Sequence, residues 1–211
     1  MLLLALDTST PAVTVALHDG SRAVAESTTI DSRRHTELVA PAVTEVLAAA
    51  GAGRSELTAI AVGVGPGPFT GLRIGVVTAR MLGAVLGIPV QGVCSLDVVA
   101  RSVAESGPFV VVTDARRREV YWAAYDSDGR RTEGPSVATP ADVATDLPAA
   151  GSGSRLYPDA FPAPVGPEYP SAADLAAAVV GGEVGLLPPD PLYLRRPDAR
   201  PPGARKSVLS R

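Results

Sequence analysis

The sequence predicts an α/β protein made of two mixed β-sheet subdomains flanked by helices, and three observations carry that prediction. Apolar strands that end in aspartate open both halves of the chain, an Asp-Gly hairpin turn follows each of them, and helical periodicity fills the segments between. The 211 residues are 46% hydrophobic. That is enough chain to bury a sizeable core, in one large domain or two small ones.

The first half can be justified element by element. "LLLALD" at 2–7 is a short apolar run, "AVTVALHD" at 12–19 alternates as a strand does, Asp19-Gly20 supplies a hairpin turn, and "SRAVAES" gives a third strand. "SRRHTELVAPAVTEVLAAAG" sets Leu38, Val39, Ala42, Val43, Val46 and Leu47 on one helical stripe, with Gly51 or Gly53 as its stop. Pro41 should start or kink that helix, because it disfavours helical geometry at Ala40. "LTAIAVGVG" is a buried strand, "FTGLRIGVVTARMLGAVLG" a helix and "IPVQGV" a strand. The link "GVGPGPFTGLRIG" at 63–75 has the glycine content of a phosphate cradle, but no lysine follows it. It reads as a rigid strand-to-helix turn with Thr70 as candidate N-cap.

"PFVVVTDARRREVYWAAYDSDGRRTEG" repeats the opening: a strand ending in Asp114, an alternating strand over 118–125, and a turn at Asp128-Gly129. The first aspartate precedes the turn glycine by 13 positions in one copy and 15 in the other. Such near-equality indicates internal duplication. Two such halves facing each other form the duplicated actin-like (ribonuclease H-like, ASKHA) architecture shared by actin, hexokinase and the heat-shock ATPases. The expected division is 1–100, 101–195 and a flexible Pro/Arg-rich tail over 196–211. Within the second of these, "GSGSRLY" reads as a strand entry, and "SAADLAAAVVGG" as a helix capped by Ser171.

Charge and composition narrow the chemistry. A net charge of −3 gives no general attraction for nucleic acid, and the single cysteine, Cys94, forms no internal disulfide. The start lacks a signal-peptide pattern and no stretch reads as a membrane span, so a cytoplasmic protein is expected. Actin-fold kinases hold phosphates on two Asp-x-Gly-like turns, where glycine lets backbone N–H groups approach the anion. Here the turns read "DTST" and "DARR", with Ser9 and Arg116 where glycine is needed. Asp7, Thr8, Ser9, Asp114 and Arg116 are therefore at most a degenerate nucleotide site, and no ATP hydrolysis, intrinsic cofactor or metal is expected. The two histidines, His18 and His35, have no ligand spacing. His35, at a helix start, reads as solvated or capping. Cys94 reads as buried and inert, although spatial pairing with His35 stays open. "GSGS" at 151–154 lacks nucleophile-elbow spacing, and the arginines at 116–118 read as a solvated rim.

Several blocks, in order, match one family: "ALDTST", "RHTELVAP", "AVGVGPGPFTGLRIGVVTAR", "GVCSLDVVA", "DARRREVYWAAY" and "PLYLRRP". Together they resemble the TsaB family, part of the bacterial system that makes threonylcarbamoyladenosine on tRNA. The resemblance implies a non-catalytic scaffold for a catalytic TsaD-like paralogue, working with a TsaE-like ATPase. It also implies ATP use by the partner subunits, tRNA contact through the complex, and no membrane. The resting state, homodimer or heterodimer, stays open. The second helix carries Gly71, Gly75, Ala79 and Gly83 at four-residue spacing, a face either for this chain's own sheet or for a partner. On the partner reading, Arg73, Val76, Val77 and Arg80 face outward, with Leu38, Ala42 and Val46 of the first helix nearby. The competing class is a stand-alone actin-fold small-molecule kinase or hydrolase.

Overall fold

Two β-sheets, of six and four strands, organise the chain. The computed structural model describes residues 1–195. The expected flexible tail, 196–211, lies outside the described residues.

The first sheet opens with a meander of β1 (Leu3–Asp7), β2 (Ala12–His18) and β3 (Ala23–Ile30), paired antiparallel. β4 (Ala59–Gly63) then lies parallel to β1, and β5 (Val90–Val93) parallel to β4. Helices α1 (His35–Ala49) and α2 (Phe69–Leu86) connect these strands. Every residue of β1 and β2 is buried. Alternation explains how both faces are used. Leu4, Leu6, Val13, Val15 and Leu17 meet α1 and α2, whereas Leu3, Ala5 and Ala16 meet Val98, Ala172, Leu175 and Ala176 on the opposite side.

The second sheet comprises β6 (Phe109–Asp114), β7 (Val120–Tyr125), β8 (Arg131–Ala138) and the short β9 (Ala149–Ala150). Its order is β8-β7-β6-β9, with β9 parallel to β6. Both predicted Asp-Gly turns form, with Gly20 and Gly129 at positive φ. Asp7 pairs with Thr14 and Asp114 with Val120, so each opening strand reaches its turn in the same register sense.

Local expectations are refined in several places. α1 starts six residues before Pro41 and runs through it, held by Val39, Ala42 and Val43 against the sheet. It ends in a Schellman motif, with Gly51 N–H bonded to Ala48 O and Ala52 N–H to Leu47 O. α2 begins at Phe69 behind Pro68, with no side-chain cap, so Thr70 sits inside the first turn and is not the N-cap. "GSGSRLY" is helical, α4 (Ser152–Leu156), because the strand β9 is already complete at Ala150. A further helix, α3 (Ser95–Arg101), follows β5. Ser171 does cap α5 (Ala172–Gly181), accepting from Asp174 N–H at 3.2 Å.

The division at residue 100 does not follow the packing. α5 covers the first sheet, and β10 (Leu186–Leu187) pairs with β5 at its edge. Residues 188–195 then cross back over both lobes. Leu192 N–H bonds Val64 O at 2.8 Å, and Arg195 bonds Ala115 O at 3.0 Å.

Candidate functional site

The two aspartate turns are built alike. Asp7 Oδ1 accepts from Ser9 N–H at 2.7 Å, and Asp114 Oδ1 accepts from Arg116 N–H at 2.7 Å. Each carboxylate thus closes an Asx turn, the local preference of aspartate at a strand end. Their surroundings then diverge.

Asp7, Thr8 and Ser9 are all sealed, at 0%, 1% and 1% exposure. Asp7 Oδ2 accepts from Ser95 Oγ at 2.6 Å, and Ser95 Oγ in turn accepts from Gly65 N–H at 3.1 Å. Burial holds the Asp7 carboxyl above the ordinary carboxylate range, more than those hydrogen bonds lower it. Thr8 Oγ1 donates to Gly71 O at 2.7 Å and accepts from Gly75 N–H at 2.9 Å, so the turn is stitched into the first turns of α2. Gly67 packs so near this turn that a Cβ there would stand 2.1 Å from Ser9 O. The glycines and prolines of 63–75 therefore let the loop press against the first turn. Of the five candidate nucleotide residues, Asp7 is locked inside by this packing, a correction to its reading as a ligand contact, while Thr8 and Ser9, though 1% exposed, line a cavity beside the Arg116 turn. Asp114 and Arg116 reach the surface, where Arg116 Nη1 stands 3.3 Å from Asp114 Oδ2. Arg116, Arg117 and Arg118 all have positive φ, near +60°, an unfavourable conformation for residues with a Cβ.

Neither histidine is solvated. His18 and His35 are 4% and 7% exposed, and His35 Nε2 lies 2.8 Å from Thr10 O, which corrects the solvated or capping role. Cys94 is fully buried among Leu96, Val99 and Phe109, and burial pushes its thiol up to about 11. No hydrogen bond joins it to His35 among the described residues. No cluster of three or more potential metal ligands occurs among the described residues.

The small-residue stripe of α2 faces this chain. A Cβ at Gly71 would stand 2.8 Å from Thr8 O, one at Gly75 2.5 Å from Thr8 Oγ1, and one at Gly83 2.2 Å from Val90 Cγ2. Ala79 is likewise fully buried. Several residues expected to face outward lie in the same core. Val76 is 1% exposed, Ala42 8% and Val46 1%, while Leu38 packs half-buried against them. One residue turns the helix by about 100°, and Val77, next to Val76, is 50% exposed.

The outer face of α2 carries an apolar ridge, with Arg73 and Arg80 near its amino-terminal end. Val77, Met81 and Val85 recur every four residues and are exposed. Arg73 lies 3.6 Å from the centroid of Phe69 and bonds Tyr193 Oη at 2.5 Å, while Arg80 pairs with Asp190 at 2.6 Å. Met81 and Val85 are absent from the sequence-based set, though their spacing from Val77 marks the same face. By length and composition α2 could cross a bilayer, with 18 residues and mean hydropathy 1.4, contrary to expectation. Here its inner face, Leu72, Val76 and Ala79, belongs to the core.

Residues 25–181 match the TsaD family, described as tRNA N6-adenosine threonylcarbamoyltransferase. The chain is 47% identical over 205 residues to an uncharacterized protein of Mycobacterium leprae, covering 95% of this chain and 56% of that one. It is 36% identical over 132 residues to the tRNA threonylcarbamoyladenosine biosynthesis protein TsaB of Escherichia coli, covering 61% of this chain and 56% of that protein. The match thus spans little more than half the length of either relative. The solved structure of YeaZ from Pseudomonas aeruginosa superposes with a TM-score of 0.78 at 33% identity, covering 92% of this chain and 99% of that one.

Proposed function

The chain belongs to the TsaD-related family of TsaB and YeaZ proteins, and on that premise we propose that it is a non-catalytic scaffold subunit in threonylcarbamoyladenosine formation on tRNA. It docks a TsaD-like paralogue, or a second copy of itself, through the outer face of α2. The complex also engages a TsaE-like ATPase and transfers a threonylcarbamoyl group to N6 of the anticodon-adjacent adenosine in tRNAs reading ANN codons. ATP is consumed by the partner subunits, tRNA is reached through the complex, and the assembly works in the cytoplasm.

The observation that carries this reading is the ridge of Val77, Met81 and Val85 on a helix whose other side is core. An apolar ridge on a rigid helix, with arginines near one end, suits helix-to-helix docking. The sealed Asp7 turn supports the non-catalytic part, since its carboxylate is committed to Ser9 and Ser95. Reconstitution tests the proposal. Threonine, bicarbonate, ATP and tRNA should give modified tRNA only when this chain joins the other components. Full modification without it refutes the scaffold role. ATP turnover by the isolated chain that is lost in Asp7→Ala would favour an actin-fold enzyme instead.

A further inference from the structure

A cavity of about 740 Å³ opens between α3, the turn from β7 to β8 and the segment that enters β10, so elements of both sheets contribute to its walls. Phe109 and Tyr125 line it, at the ends of β6 and β7 opposite the Asp114–Val120 pair. The length of these strands, about 17 Å, separates it from the Arg116 turn. Val103, Val184 and Leu187 add an apolar wall. The volume lies within the range of small-molecule sites, which combine such walls with a few convergent polar groups.

Charge on these walls does not balance. Three guanidinium groups and four carboxylates line the cavity. Arg101 pairs with Glu183, Arg130 with Asp128 at 3.0 Å, and Arg131 with Asp97 at 3.2 Å. Glu105 is left with no ion pair among the described residues. Asp97 is only half satisfied: Oδ1 accepts both from Tyr125 Oη at 2.8 Å and from Arg131, while Oδ2 takes no hydrogen bond among the described residues and is not sealed from solvent. The Asp97 side chain is 16% exposed, and burial holds its carboxyl above the ordinary range, against the pull of Arg131 and Tyr125. A positively charged donor on Oδ2 would favour the ionised form that burial disfavours.

We propose that this cavity binds a small aliphatic amine in its ammonium form. The ammonium group meets Asp97 Oδ2, Glu105 adds a second negative charge, and the alkyl chain lies on the wall of Val103, Val184 and Leu187. Tyr125 and Arg131 are positioning residues, because by holding Oδ1 they leave the other oxygen for the ligand. This site uses neither the outer ridge of α2 nor the aspartate turns, and it does not depend on the docking role.

The test is titration of the full chain with n-butylammonium, ethylammonium and butyrate at constant ionic strength, followed by calorimetry and by backbone amide shifts. Butylammonium should saturate and move the amides of Arg101, Val103 and Gly185. Ethylammonium, with two fewer methylenes on the apolar wall, should bind about tenfold more weakly, and butyrate should not saturate. Asp97→Asn keeps an acceptor for Tyr125 and Arg131 but loses the charge, and should weaken butylammonium by about tenfold. Glu105→Gln alters an exposed residue outside the core and should weaken it by about threefold at an unchanged urea midpoint, a test that stands even if Asp97→Asn unfolds the chain. The proposal is overturned if butylammonium does not saturate, if ethylammonium or butyrate binds as tightly, if the shifts fall elsewhere, or if Glu105→Gln and a folded Asp97→Asn both bind as the parent does.

Discussion

Adjacent valines on α2 should respond in opposite ways to the same substitution. Val76 is 1% exposed in the core formed with Val39, Val43 and Leu72, while Val77 is 50% exposed on the outer ridge. Val76→Glu removes about 2 kcal/mol of apolar burial. It also places a carboxylate among aliphatic groups, and an uncompensated buried charge costs about 3–5 kcal/mol. The sum reaches the lower range of a whole domain's stability, about 5 kcal/mol, so this variant should be largely unfolded. Val77→Glu leaves the core intact and lies one helical turn from both Arg73 and Arg80, so its stability should stay within about 0.5 kcal/mol of the parent. Its association with the TsaD-like partner, or with itself, should weaken by about tenfold or more, as for a residue near the centre of an interface. Urea unfolding followed by circular dichroism measures the first quantity, and size-exclusion chromatography with light scattering measures the second. A folded Val76→Glu chain with impaired association, or a Val77→Glu chain that associates normally, would refute the assignment of faces.

Three further outcomes probe the interior. Asp7 keeps its proton to higher pH when folded than when unfolded, so the stability it contributes is present below the ordinary value of 3.8 and is lost as pH rises through its raised folded value. Asp7→Asn can keep the bond from Ser9 N–H and, with donor and acceptor exchanged, bond Ser95 Oγ through Nδ2–H, and should flatten that loss, measured as unfolding free energy against pH; an unchanged profile argues against burial as the cause. Gly75→Ala should destabilise by about 1–3 kcal/mol by overpacking against Thr8 Oγ1, even though alanine is favoured over glycine inside a helix by about 1 kcal/mol. A gain in thermal stability would mean that the glycine is not needed for packing within this chain. Cys94, with its thiol pushed up to about 11, should resist alkylation at pH 8 until denaturant is added, and rapid labelling of the native chain would contradict its burial.

The sequence carries the element order well because strand alternation, Asp-Gly turns and helical stripes are local signals. β1 is read correctly from its short apolar run and β2 from period-two alternation, and the repeated aspartate turn appears twice with the same 2.7 Å Asx bond. The resemblance to the TsaB family rests on the same local blocks, and the family match over 25–181 agrees with it. α3 escapes notice because its seven residues are too few to display a helical period. The return of α5 and β10 to the first sheet is invisible for a different reason: a helix's apolar stripe does not say which sheet will cover it.

Which face of a helix looks out is likewise a matter of tertiary contact. Four small residues on α2 can admit a partner's backbone or this chain's own, and the approach of Thr8 and Val90 selects the second. Val76 and Val77 have the same side chain and nearly the same address, yet 100° of rotation puts one in the core and the other on the ridge. The aspartate turn behaves in the same way. Sequence determines that Asp7 can close a turn, because that bond spans two residues. Only the fold, by bringing Ser95, Gly63 and α2 onto it from distant parts of the chain, decides that its carboxylate is buried beyond the reach of a ligand.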